Sequence, residues 1–420
     1  MQGSVVLQTL RLLRSQWYSD QEIAERLQAA LVDTMRHAVL RVPFYRKLGI
    51  SVSQLQSQDD LQRFPFLNKR TLQESAGELI ADGLDRQRLP SSRTSGSTGE
   101  PTQTYFDKRS WALCKFALKI RRTLAVAPPF FHRCLLVSEQ APEAAARYAS
   151  SRPFRAGPAY QERVVSLFED LEVHRRVIRE FRPDMLYGFP SYLLELARAY
   201  ALANEEPPEI RWIFSSSEVL TPAARSRIEA AFHARIHDIY GCTEFKEVAW
   251  QCKHGRYHIN AESVLVETPR MPGDAHGQIV LTTLCNRAMP LLRYVTGDLG
   301  ALAAPGVKCP CGRRLPQLEV ISGREGDMMT LPSGRRISPY ALTTILETMP
   351  GLHQYRIVQE APERLRIDMV ASAAADADRI DRCRRELTDT IGESMDLSFR
   401  AVEVIPRMKG GKHRVFVREH

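Results

Sequence analysis

The seven residues Arg93-Thr94-Ser95-Gly96-Ser97-Thr98-Gly99 have the make-up of a phosphate loop. The two glycines let backbone approach a polyanion closely, and the four hydroxyls can donate to phosphate oxygens. The loop is not of the Gly-x-x-x-x-Gly-Lys-Ser/Thr type, and Glu100 stands where a lysine would help. A flexible Ser/Gly turn is the competing reading. Further along, Tyr240-Gly241-Cys242-Thr243-Glu244 offers a ring face for a base, a hydroxyl for a phosphate oxygen and a carboxylate, a hard ligand for Mg²⁺. A strand end running into a turn accounts for the same residues. Tyr294-Val295-Thr296-Gly297-Asp298 sets a carboxylate just past a glycine, where it can accept both hydroxyls of a ribose; a β-turn explains it equally well. Lys409-Gly410-Gly411-Lys412-His413-Arg414 puts a lysine on a glycine-freed loop, able to bring positive charge to a carboxylate or phosphate as charge develops there. A solvated basic tail is its alternative.

Elements with the right periods surround these segments. Ile23, Leu27, Leu31, Met35 and Val39 recur at helical spacing behind Ser19 and Asp20, which predicts a capped amphipathic helix over 20–40 within a helical lead-in, 1–75. After about residue 110, short apolar stretches (Leu135–Val137, Met185–Tyr187, Trp212–Phe214, Ile236–Ile239) alternate with helical ones (Tyr192–Leu202, Pro222–Phe232). Strands separated by helices favour parallel pairing. From Gly277 to Gly326 the texture is β-rich and turn-rich, and Ser322-Gly323-Arg324-Glu325-Gly326-Asp327 reads as a hinge. The tail combines alternation over Gln354–Val370, a helix near Asp376–Ile391 and a strand at Leu397–Ile405. The expected fold is α/β: a large domain, 1–326, of mixed sheets and helices with a β-rich part at 277–326, and a small mobile α+β domain, 327–420.

Composition narrows the classes. At 420 residues, one core is too few. With 44% hydrophobic and 25% charged residues the chain is neither disordered nor fibrous. The formal charge of +9 is spread without a long block of one sign, which suits an anionic small ligand and gives no indication of nucleic acid. No apolar run reaches the length of a membrane span, and Gln8, Arg11 and Arg14 interrupt any leader-like start, so a cytoplasmic location is expected.

In their order and spacing, the four motifs resemble the adenylate-forming superfamily of acyl-CoA synthetases and adenylation domains. With Val42-Pro43-Phe44-Tyr45-Arg46-Lys47 and Phe64-Pro65-Phe66-Leu67-Asn68-Lys69, the chain is most similar to the phenylacetate-CoA ligase branch and its capsule-biosynthesis relatives. The resemblance implies that Thr94, Ser95, Gly96, Ser97, Thr98 and Gly99 wrap the ATP phosphates and that Ser216, Ser217 and Glu218 line the adenine side. Tyr240, beside Gly241, would stack on the base. Thr243 would contact the α-phosphate, Glu244 the Mg²⁺, and Asp298 with Arg324 the ribose. Asp327 matches the hinge and Lys412 the mobile catalytic lysine, which with Thr98 and Glu244 forms the catalytic set. Tyr187, Gly188 and Phe189 resemble the segment lining the acyl pocket, with core packing as the competing explanation. Relatives in this branch also imply a structural Zn²⁺ on Cys252, His258, Cys309 and Cys311. The Cys309-Pro310-Cys311 spacing with a distant thiol and imidazole satisfies a four-ligand count, and His254 competes with His258. Unpaired cysteines packed as small hydrophobes are the alternative.

The function implied is two-step. ATP and Mg²⁺ convert a small carboxylic acid, aryl or amino acid, to an acyl-adenylate, and the acyl group passes to coenzyme A or to the phosphopantetheine of an acyl or peptidyl carrier protein. Transfer to an amine or hydroxyl, as in capsule or natural-product biosynthesis, is the nearest alternative. A catalytically silent nucleotide-binding protein is the alternative of another class. A zinc-ribbon nucleic-acid binder leaves the phosphate loop unexplained.

Overall fold

The computed structural model describes residues 2–93, 102–127, 132–140, 142–143, 160–270, 276–406 and 413–419. The chain divides into two compact units, each assembled from two stretches: Met1–Pro129 with His237–Ile321, and Phe130–Ile236 with Ser322–His420.

The first unit opens with helices Gln2–Ser15 and Asp20–Arg41. The second is started by a capping box: the Ser19 hydroxyl accepts from the Glu22 amide at 3.2 Å while Glu22 Oε2 accepts from the Ser19 amide at 2.9 Å. It ends at Val42, held extended by Pro43 as the proline ring requires. Its buried face, Leu31, Met35, Ala38 and Val39, packs with Tyr45, Phe64, Val248, Ile279 and Leu292 in one core. Tyr45 is buried whole, and its hydroxyl donates to the Pro290 carbonyl and accepts from the Leu292 amide, both at 3.0 Å. These bonds fasten the lead-in to a sheet of order Val264–Glu267, Gly277–Thr283, Tyr294–Leu302, Gln317–Arg324, Tyr257–Ile259, Lys246–Gln251, Ile236–Cys242. A separate antiparallel pair, Ser91–Arg93 with Gln103–Tyr105, has Arg93 opposite Gln103. It forms the stem from which residues 94–101 depart.

The second unit holds strands in the order Trp212–Ser216, Met185–Gly188, His132–Ser138, Tyr160–Ser166, and the registers between them are parallel, as the alternation with helices predicts. Helices Leu171–Phe181, Pro190–Leu202 and Pro222–Phe232 supply the apolar cover, with Tyr192, Leu193, Leu196 and Ile228 buried against Leu186 and Ile213. A separate core lies in the C-terminal stretch, around Leu346, Ile357, Ile367, Leu387 and Phe416. Its sheet runs Asp396–Ala401, Arg364–Ala371, Leu352–Ala361, Phe416–Arg418. The alternating segment read at 354–370 is a hairpin turning at Pro362-Glu363. The strand expected to reach Ile405 stops at Ala401, and a parallel strand at Phe416–Arg418 completes the sheet. Three residues are too few to show a period.

Candidate active site

In the first unit the strand Ile236–Cys242 turns into Lys246–Gln251, with Cys242 opposite Lys246. The hairpin is tight because position 241 is glycine: a Cβ there would lie 2.1 Å from the Lys246 carbonyl oxygen. The turn therefore projects Thr243 and Glu244 from a fixed base. Glu244 is buried, and its Oε1 accepts from the Tyr294 hydroxyl at 2.9 Å. Tyr240, also buried, donates its hydroxyl to Asp298 Oδ2 at 2.9 Å. Burial, then the carboxylate beside each ring, pushes both phenols far above their ordinary value, Glu244 acting on Tyr294 and Asp298 on Tyr240, so both remain donors at any working pH.

Asp298 is set by a turn of its own. Gly297 has φ +79°, and the Asp298 amide donates to the Thr296 hydroxyl at 3.0 Å while that hydroxyl donates to the Ile279 carbonyl at 2.9 Å. Each carboxylate is thus fixed by a phenol at one of its oxygens. A small cavity opens beside Glu244, with Phe106, Phe245, Cys285 and Met289 in its wall.

In the second unit, the hydroxyls of Tyr187 and Ser216 share a hydrogen bond of 2.7 Å. Ser217 takes φ +73°, and Glu218 accepts from the Ser191 amide and hydroxyl, both at 2.9 Å, at the start of helix Pro190–Leu202. A carboxylate at a helix N-terminus is favoured by the free amides and the dipole. Phe189 is buried in the apolar core, and Gly188 faces the Tyr192 ring, which a Cβ would meet at 3.0 Å. Arg324 ends its strand and Asp327 closes the short turn Glu325–Asp327, with Asp327 Oδ1 accepting from Arg414 at 3.3 Å. Gly323 is required there twice over: its φ is +103°, and a Cβ would stand 2.6 Å from the Tyr340 ring. His413 Nε2 lies 2.8 Å from Glu195 Oε1, which also accepts from Gln354 at 3.1 Å. The calls on Thr94, Ser95, Gly96, Ser97, Thr98, Gly99 and Lys412 lie outside the described residues.

The four donors Cys252, His258, Cys309 and Cys311 converge within 4.8 Å of one another in the first unit. Cys252 and Cys309 sulfurs are 3.6 Å apart, and Cys311 Sγ is 3.3 Å from His258 Nε2. Burial, then Arg313, pushes the His258 imidazole down to about 4, leaving a neutral ring with a lone pair to give. Two of the four thiol and imidazole groups are wholly buried, and their spacing suits one tetrahedral ion. His254 does not belong to this group of donors.

Comparison with known proteins finds similar chains over most of this one. The phenylacetate-coenzyme A ligase of Thermus thermophilus is 26% identical over 93% of this chain and 96% of its own length. That of Escherichia coli is 26% identical over 91% and 92%. The chain is a relative of the phenylacetate-CoA ligases. Within this relationship, residues 329–419 match the family model described as the CapK C-terminal domain. The fold is that of a 2-hydroxyisobutyryl-CoA ligase in its postadenylation state, with a TM-score of 0.77 at 22% identity over 95% of this chain and 89% of that one. Among the described residues, no helix is long and apolar enough to cross a membrane.

Sequence reasoning passed over three groups that touch the site residues of this ligase relative. Tyr294 had the signal of an aromatic four residues before Asp298. The Glu195 and His413 pair, and the lysine after the tyrosine motif, Lys246, carried none, because a charged residue in a helix or after a turn reads as a solvated one.

Proposed function

We propose that this chain uses ATP and Mg²⁺ to join AMP to a small carboxylic acid and then passes the acyl group to the thiol of coenzyme A. The observation that carries the reading is the pair of buried phenol–carboxylate bonds, Tyr240 to Asp298 and Tyr294 to Glu244, in a chain that aligns with CoA ligases over 93% of its length.

In this reading Asp298, with one oxygen engaged by Tyr240, accepts the ribose hydroxyls, assisted by Arg324. Tyr240 gives the adenine a ring to stack on, beside Gly241, and Ser216, Ser217 and Glu218 are the residues assigned to the adenine side. Thr94 to Gly99 donate hydroxyl and amide hydrogens to the phosphates, Thr98 among them, and Thr243 holds an α-phosphate oxygen. Glu244 would hold Mg²⁺, which would supply positive charge against the phosphates. Tyr187, Gly188 and Phe189 border the acyl group. A carboxylate oxygen of the acid attacks the α-phosphorus and pyrophosphate leaves, while the Lys412 ammonium stabilises the charge gathering on the phosphoryl oxygens. The 327–420 domain then swings about Asp327, withdrawing Lys412. The thiol sulfur adds to the acyl carbonyl and AMP departs, so one site serves both half-reactions. Cys252, His258, Cys309 and Cys311 would hold a structural Zn²⁺, with no part in either step.

The test is ATP–pyrophosphate exchange across a panel of carboxylic acids, followed by AMP release with coenzyme A, a phosphopantetheinyl carrier protein, amines and alcohols. Exchange with at least one acid and release by coenzyme A are expected. Release by an amine or hydroxyl alone would move the acceptor assignment, and no exchange with any acid would overturn the reading.

A further inference from the structure

Lys246 is placed in a way that neither the hairpin nor the proposed reaction requires. It occupies the residue closing the turn after Glu244 with φ +66°, a conformation that glycine adopts freely and lysine rarely does. The strain directs its half-buried side chain inward. There the ammonium donates to the Ser92 hydroxyl, in the stem strand that leads into the hydroxyl-rich loop. It also stands 5.5 Å from the Phe106 ring centroid and 5.4 Å from that of Trp111. Lys115 reaches the same indole, its ammonium 5.7 Å from the ring. Two cations therefore share one aromatic wall.

Among the described residues Lys246 forms no ion pair. The nearby carboxylate, Glu244, acts on it only through space and more weakly than the cysteines, and is itself bonded to Tyr294. Burial first, then Lys115, pulls the Lys246 ammonium down to about 8. Cation–π contact offsets part of the desolvation, but it supplies no counter-charge. Among the described residues, such a site lacks an anion.

We propose that Lys246, seated on Phe106 and Trp111 and tied to Ser92, forms an anion subsite that takes an oxyanion of a bound substrate. That oxyanion is either a phosphate distant from the adenosine or a second carboxylate carried by the acyl substrate. The inference rests on the ligase reading for its choice of ligands and is tested without turnover. In the phosphate case the ligand is the departing pyrophosphate. In the acyl case it selects dicarboxylic over monocarboxylic acids, with the aromatic rings flanking the chain between the two carboxylates.

The experiment is titration calorimetry on the full chain, wild type beside Lys246→Met and Lys246→Arg. The probes are magnesium pyrophosphate and a matched dicarboxylate and monocarboxylate pair. Lys246→Met should weaken one of the two anionic probes by about tenfold or more, with the monocarboxylate unaffected and Lys246→Arg within about threefold of wild type. Which probe weakens identifies the source. If Lys246→Met does not fold, Lys246→Gln and Ser92→Ala carry the test. Equal binding of pyrophosphate and dicarboxylate by wild type and variant would overturn the proposal. Pyrophosphate or dicarboxylate binding that depends on Lys246 in a protein without exchange activity would sink the ligase reading and leave the subsite standing.

Discussion

Cys309→Ser removes one donor from the cluster that ties residues 252–258 to residues 309–311. Cys252 and Cys309 are 57 residues apart in the chain, so an ion shared between them closes a loop of that length. In the chain-entropy treatment of a cross-link, a loop of this size restricts the unfolded chain by about 4 kcal/mol at 25 °C. The cluster also packs against Trp250, Ile23 and Leu315, so losing the ion loosens an apolar neighbourhood as well as a link. The wild type, purified without chelator, should carry one zinc per chain by elemental analysis, and Cys309→Ser much less. Amide exchange in 250–261 and 309–316 should accelerate by two to three orders of magnitude, the factor that about 4 kcal/mol represents if the opening is local. A local readout is preferable to a single unfolding free energy, because a chain with two units has no reason to unfold in one step. A metal-free wild type, or a serine variant with full zinc and unchanged exchange, refutes the reasoning.

Lys412→Ala should abolish adenylate formation yet spare thioester formation from a supplied acyl-adenylate; equal loss of both half-reactions contradicts a lysine that acts in the first only. Tyr294→Phe leaves a Glu244 oxygen buried without its donor and should cost about 1.5–3 kcal/mol, seen as a lower melting temperature. The loss should shrink in a Glu244→Gln background; full additivity would mean the two groups do not interact. Gly323→Ala forces a Cβ into the Tyr340 ring at φ +103° and should destabilise the second unit by about 1–3 kcal/mol, with faster exchange over 336–348; an unchanged variant removes the steric argument for that glycine.

Much of this was legible in the sequence because period and punctuation act locally. Ser19 and Glu22 announce a helix start, Pro43 its end, and the apolar stretches at Met185 and Trp212 announce buried parallel strands. Tyr240, Glu244 and Asp298 were legible as types able to bind a nucleotide, and Cys252, His258, Cys309 and Cys311 as a ligand count. What could not be read is which partners meet. Tyr294 and Glu244 are 50 residues apart, and nothing in either segment specifies the other. Likewise a lysine with a left-handed backbone looks, in a string of letters, like any surface lysine. The final strand, Phe416–Arg418, was missed because it is stabilised by its pairing with Leu352–Ala361 rather than by any pattern of its own.

The interleaving of the two units has a consequence for synthesis. The first unit's helices emerge early, but the strands that cover Leu31, Met35 and Tyr45 arrive only after Phe130–Ile236 has been made, and the last at Ile321. At roughly 5–20 residues per second, the nascent helices wait on the order of ten seconds or longer with an apolar face uncovered. Ribosome-associated chaperones should therefore engage the first 129 residues, and slowing translation within 130–236 should lower the yield of active protein more than slowing it after Ile321.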